Sequence, residues 1–131
     1  MNVLVDSSVW INHLRGQTTP AVLRLRGWLQ SAEHALLAAD LVALEVTRGC
    51  RTEREFRAVQ AMFLSMECVT LGGLDASLRA AALYRRMRER GITVAKTADL
   101  LIASWCIHEG VALLHDDVDF EAFKTYKLRI V

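Results

Sequence analysis

Val3-Leu4-Val5-Asp6-Ser7-Ser8-Val9-Trp10-Ile11 runs a strand, a turn and the start of a helix together without a break. Val3 to Val5 is a continuous apolar run with no polar alternation, the pattern of a strand buried on both faces. Asp6, Ser7 and Ser8 bring side-chain oxygens that can accept from the free N–H groups of the helix implied by Val9, Trp10 and Leu14. A buried strand delivered directly into a helix is how a parallel sheet with helical cover begins.

Working outward, the same alternation recurs. Thr19-Pro20 reads as cap and first helical position, with Val22, Leu25 and Leu29 forming an apolar stripe. Ala35 to Ala38 reads as a second buried strand, after which Asp40 is placed to cap a helix running to Cys50. Phe56, Val59, Phe63 and Met66 mark the buried stripe of another helix, and Cys68 to Leu71 a third strand closed by Gly72-Gly73. A long arginine-rich helix should stop at Gly91. Thr97 can cap an apolar helix ended by Gly110, Val111 to Leu114 follows as a strand, and Leu128 to Val131 is a candidate for the last one. Short buried strands alternating with helices specify the α/β class, here a three-layer α/β/α sandwich with a short central parallel sheet. Residues 1–131 read as a single domain, without linker, repeat or low-complexity segment.

Composition narrows the function classes. Apolar residues make up 53% and charged residues 24% of the 131-residue chain, a globular balance that excludes a disordered one. The 3 cysteines, Cys50, Cys68 and Cys106, are scattered in apolar surroundings, which suits a reducing cytoplasm and gives no metal-ligand spacing. Met1 to Asp6 lacks a basic leader, and no apolar run reaches the roughly 18 residues of a membrane span, so a soluble cytoplasmic protein is expected. His13, His34, His108 and His115 form no pair at metal-binding helical spacing, and Trp10, Trp28 and Trp105 read as core or dimer-contact residues. The net charge of +1 hides a separation. Arginines gather at Arg48, Arg51, Arg54 and Arg57 and again from Arg79 to Arg90, whereas acids gather at Asp116, Asp117, Asp119 and Glu121.

The chemistry lies in where the acids fall. Asp6 follows the first strand and Asp117 the Val111 to Leu114 strand, so both stand beyond carboxyl ends of parallel strands, where open α/β sheets bind ligands. Each can equally be a helix cap. Glu45 shares a helix face with Leu41 and Leu44, which carries a carboxylate toward the interior unless Arg48 pairs with it at the surface. Asp99 occupies the first turn of the most apolar helix, a favourable place for an acid and one that brings it to the same sheet edge. If Asp6, Glu45, Asp99 and Asp117 converge, they need a compensating cation, and oxygen-only ligands favour Mg2+ or Mn2+. Such ions suit phosphodiester hydrolysis. A phosphatase of the haloacid dehalogenase type would carry a second aspartate two residues after the first, where this chain has Ser8. A catalytically silent binding or regulatory module with the same fold stands as the alternative.

Four segments now give a specific resemblance. Val3 to Ile11, Ala43-Leu44-Glu45-Val46, Ala98-Asp99-Leu100-Leu101-Ile102-Ala103 and Leu113 to Phe120 resemble, in order, the segments that carry the acids of VapC-like PIN domains. The resemblance implies a PIN-like fold and a magnesium-dependent endoribonuclease, the toxin of a VapBC-type toxin–antitoxin pair. It implies catalytic roles for Asp6, Glu45, Asp99 and Asp117, with Asp6, Asp99 and Asp117 on the metal and Ser8 and Asp119 supporting them. The crowding of Asp116, Asp117 and Asp119 leaves open which of them is the fourth acid. The implied partners are an RNA substrate, a VapB-like antitoxin and a second copy of the chain. A cleaved phosphate backbone needs cations nearby, and Arg85, Arg86 and Lys96 are the candidates for RNA contact.

Overall fold

A computed structural model describes residues 1–131. Four strands, β1 (Asn2–Val5), β2 (Ala35–Ala39), β3 (Glu67–Val69) and β4 (Ala112–Leu114), form one parallel sheet in the order β3-β2-β1-β4. Val3 pairs with Leu36 on one side and with Ala112 on the other, so β1 is the central strand that its uninterrupted apolar sequence requires. Val3, Leu4 and Val5 are all fully buried.

Six α-helices cover the sheet: α1 (Ser7–Leu14), α2 (Pro20–Leu29), α3 (Asp40–Thr47), α4 (Glu53–Leu64), α5 (Leu74–Glu89) and α6 (Thr97–Glu109). The connections from β1 to β2 and from β2 to β3 step one way along the sheet, and the connection from β3 to β4 steps back past β1. Right-handed crossovers therefore put α1 to α4 on one face and α5 with α6 on the other. In agreement, α1 packs on α2 and α3, α3 on α4, and α5 on α6. The core runs through both layers, with Trp10 edge-on to Phe63 at 5.8 Å on one side and Phe120 and Phe123 fully buried at the sheet end.

Several sequence expectations need correction. Asp40 does not cap α3: Ala39 holds that position, while the Asp40 carboxylate accepts from the N–H of Leu41 at 2.9 Å and of Leu71 at 3.1 Å. That second bond diverts Leu71 from the sheet, and β3 ends at Val69 instead of continuing to Leu71. Helix α3 stops at Thr47, short of Cys50, just before Gly49, whose backbone freedom makes it a poor helix former. In α4 only Val59 and Phe63 of the expected stripe are buried; Phe56 is partly exposed, and Met66 lies beyond the helix. Lys96, not Thr97, occupies the cap position of α6, and no side chain caps it. Gly110 ends α6 as expected, in the left-handed conformation at φ 68°. The final segment forms no strand. Leu113 donates to Arg129 O and Val131 donates to Leu113 O, a single parallel bridge that covers the outer edge of β4.

Candidate functional site

The sheet order creates the site. Chain connections leave β1 for β2 on one side, while β4 arrives on the other, so the carboxyl ends of β1 and β4 flank the switch point where α/β sheets open a crevice. Asp6 ends β1, and His115-Asp116-Asp117 leave β4. Helices antiparallel to the strands begin at this same edge, which brings in Glu45 on α3 and Asp99 in the first turn of α6.

Asp6 is 3% exposed and caps α1, its Oδ2 accepting from Ser8 N at 3.0 Å and Ser8 Oγ at 2.6 Å. Its other oxygen, Oδ1, is buried and has no partner at all. An ionised carboxylate oxygen left bare in the interior is costly unless a proton or a cation meets it. Ser8 Oγ also accepts the N–H of Asp116 at 3.0 Å, while Asp6 N donates to Leu114 O at 2.9 Å, so the ends of β1 and β4 are locked together.

Glu45 is half-buried, with Leu41 and Val42 one turn before it packed into the core; Leu44, expected beside it in the interior, is 57% exposed. Its partner is not Arg48. Ser7 Oγ donates to Glu45 Oε1 at 3.2 Å. Asp99 is 6% exposed and its carboxylate makes no hydrogen bond or ion pair. Burial first, then the charge of Asp6, raise the Asp99 carboxyl to about 6. Burial likewise raises Asp6, and burial with the Asp6 charge raises Glu45. Asp117 differs: burial pushes it up, but the Asp119 N–H and the Lys96 ammonium outweigh that and hold it low. Lys96 Nζ stands 3.2 Å from Asp117 Oδ2 and is held charged by that contact.

Among the three crowded aspartates the geometry distinguishes sharply. Asp116 turns away, its Oδ2 accepting from Asn12 Nδ2 at 3.0 Å and Thr19 Oγ1 at 2.6 Å. Asp117 and Asp119 face Asp99, and carboxylate oxygens of the three lie within 4.8 Å of one another. The set is all oxygen, excessively negative and incompletely hydrogen-bonded, which suits a hard divalent cation at Asp99, Asp117 and Asp119; Asp6 and Glu45, expected with them, are not part of this close group. Of the cations anticipated from sequence, Lys96 reaches this cluster. Arg85 and Arg86 lie along α5 without an ion pair, Arg86 sitting 6.0 Å over the Tyr126 ring.

Two supporting residues escaped the sequence reading. Ser7 was visible only as a potential cap, yet it fixes Glu45. His115 Nδ1 accepts the N–H of Asp117 at 3.0 Å, which places the ring proton on Nε2, 3.5 Å from Glu121 Oε1. No periodicity or spacing signals either contact. The thiols offer no nucleophile, since burial pushes Cys106 up to about 12 and also raises Cys50 and Cys68.

Fold and site together define an α/β/α protein that gathers carboxylates at the switch point of a parallel sheet. The PIN domain family model matches residues 3–125, and the chain belongs to the PIN-domain family. Its relatives include ribonuclease VapC19 of Mycobacterium tuberculosis, 35% identical over 117 residues that cover 88% of each chain. Ribonuclease VapC11 of the same species is 24% identical over 119 residues, covering 91% of this chain and 89% of that one. The fold matches VapBC2 from Rickettsia felis, solved bound to a promoter DNA fragment, with a TM-score of 0.77 at 17% identity, covering 100% of this chain and 98% of that one. It also matches Mycobacterium tuberculosis VapC20, described as a sarcin–ricin loop cleaving toxin, with a TM-score of 0.69 at 19% identity over 92% and 93% of the two chains.

Proposed function

We propose that this chain is a magnesium- or manganese-dependent endoribonuclease and the toxin of a VapBC-type pair. The observation that carries the reading is the cluster of Asp99, Asp117 and Asp119 oxygens, with Asp6 Oδ1 buried and without a hydrogen-bond partner at the same sheet edge. The names of the relatives, ribonucleases of the VapC type, and the fold shared with VapBC assemblies support it. An RNA substrate, a VapB-like antitoxin and a homodimer follow from the same kinship.

Each residue has a task. Asp6, Asp99 and Asp117 would hold the ion, with Asp119 supporting them. A divalent ion bound there would supply activation of water and compensation of charge on the leaving oxygen. Glu45, held by Ser7 and raised in pKa by burial, is placed to accept a proton from the attacking water. Lys96 meets a phosphate oxygen, easing the approach of an anion to an acidic site. Ser8 fixes Asp6 and the Asp116 backbone.

With no activated serine or cysteine, water attacks phosphorus directly, and RNA should be left with 5′-phosphate and 3′-hydroxyl ends. Recovery of 2′,3′-cyclic phosphate would mean attack by the RNA's own hydroxyl and would end this mechanism. The residue test is sharper still. Asp99→Asn and Glu45→Gln should abolish cleavage while the melting temperature in chelator stays level or rises, and magnesium should stabilise the wild type more than either variant. Variants that melt lower in chelator and still cleave RNA would make these acids structural.

A further inference from the structure

A cleft of about 300 Å³ opens beside the acidic cluster and shares Asp99 and Asp119 with it. It is lined by Thr93, Val94 and Ala95, in the loop before α6, and by Val118 and Ala122, in the 3₁₀ segment Val118–Tyr126. Phe123, fully buried, lies beneath. Apart from the two shared acids, the lining is apolar save for Thr93.

We propose that this cleft is a nucleobase subsite, seating the base next to the phosphate held at the acidic cluster. The inference rests on the phosphodiesterase reading of that cluster. Its size sits at the lower bound of small-ligand sites, roughly 300–1,000 Å³, enough for one base and not for an extended chain. Because Asp99 and Asp119 belong to both cleft and cluster, an occupant of the cleft is continuous with whatever the cluster binds, and in RNA the group one sugar away from a phosphate is a base. An apolar lining drawn from two segments of the chain suits the faces of a base unstacked from its neighbours.

Val118 is the residue that points most clearly to an occupant. It is 77% exposed between Asp117 and Asp119, where an apolar side chain contributes nothing to the core. Thr93 gives the cleft a polar reader. Its Oγ1 accepts from Arg88 Nη1 at 2.6 Å, which leaves the hydroxyl proton free to donate to a ring nitrogen or carbonyl on the base edge. Every base presents such an acceptor, so the subsite orders the base without restricting it to one kind.

Methyl NMR of the full chain in Mg2+ tests this with nucleoside 5′- and 3′-monophosphates against ribose 5-phosphate. The nucleotides should shift the methyls of Val94, Val118 and Ala122, and ribose 5-phosphate should shift only the amides of Asp99, Asp117 and Asp119. Which nucleotide series acts more strongly assigns the base to one side of the scissile phosphate. Val118→Ser, at an exposed position, should weaken binding of mixed-sequence single-stranded RNA about tenfold while leaving Mn2+ affinity unchanged. Equal methyl shifts with ribose 5-phosphate, or silent methyls in protein that cleaves RNA, would overturn the subsite alone. A chain that binds no Mg2+ would remove the nuclease reading and the subsite with it.

Discussion

Asp116 and Asp99 stand at the same edge of the sheet and are satisfied in opposite ways. Asp116 accepts from Asn12 and Thr19 and spends its charge on joining α1, the start of α2 and the end of β4. Asp99, buried among other acids, accepts from nothing. Asp116 is turned by its donors toward α1 and the start of α2 and stabilises the fold there; a carboxylate that is buried and bare makes folding harder and is poised to bind a cation. The contrast separates scaffold from site more reliably than position in the sequence does, since Asp116 is adjacent to Asp117 and Asp99 is remote from it.

The largest effects should come from exchanging these roles. Asp116→Ala should lower stability by about 2 kcal/mol, the scale of hydrogen bonds to a charged group, yet leave cleavage within about tenfold of wild type at a temperature where both are folded. Urea unfolding paired with a cleavage assay measures both. Complete loss of cleavage with unchanged stability would place Asp116 in the reacting group and dissolve the distinction.

A second difference concerns pH. The Asp99 carboxyl, ordinarily at 3.8, stands at about 6 in the folded chain, so between those values the folded state holds a proton that the unfolded state has released. Stability must then fall as pH rises through that window, with the deficit fully present above about 6. Asp6 and Glu45 are raised as well and add in the same direction. In chelator the wild-type melting temperature should therefore be higher at pH 5 than at pH 7, and Asp99→Asn should flatten the profile. Magnesium needs the ionised acids, so its stabilising effect should fade as pH drops below about 6. A melting temperature that rises with pH in chelator would contradict the raised carboxyls of Asp99, Asp6 and Glu45.

A smaller effect is expected at His115, which touches Asp117 only through the backbone. His115→Ala should weaken Mn2+ binding about tenfold, a magnitude usual for groups that orient metal ligands. His115→Asn should restore it, because an asparagine oxygen can accept the N–H two residues on, as the imidazole Nδ1 does. Equal loss in both variants would assign His115 to packing against Phe120, 5.3 Å away.

The parallel sheet was legible in the sequence because β1, β4 and the second half of β2 are buried on both faces and carry no alternation, and the caps at Asp6 and Thr19 are local enough to read; β3, an exposed edge strand, gave the weakest signal and the wrong end. Glu45 was placed correctly beside Leu41 but wrongly beside Leu44, which faces solvent. The choice of Asp117 among Asp116, Asp117 and Asp119 rested on the family resemblance and not on any spacing in the sequence. In the folded chain it depends on Asn12 and Thr19, 104 and 97 residues away along the chain, which claim Asp116 only once β1 and β4 are paired. For the same reason Ser7 and His115 carried no signal, as each acts on a residue that only the folded chain brings near or turns toward the cluster.

Calorimetric titration of Mn2+ into wild type, Asp99→Asn and Asp116→Asn at pH 7.5 addresses the central contrast without relying on any RNA sequence. Binding should weaken sharply in Asp99→Asn and remain close to wild type in Asp116→Asn. Unchanged affinity in Asp99→Asn, or a loss confined to Asp116→Asn, would contradict the account that Asp99 and the acids facing it, and not Asp116, hold the ion.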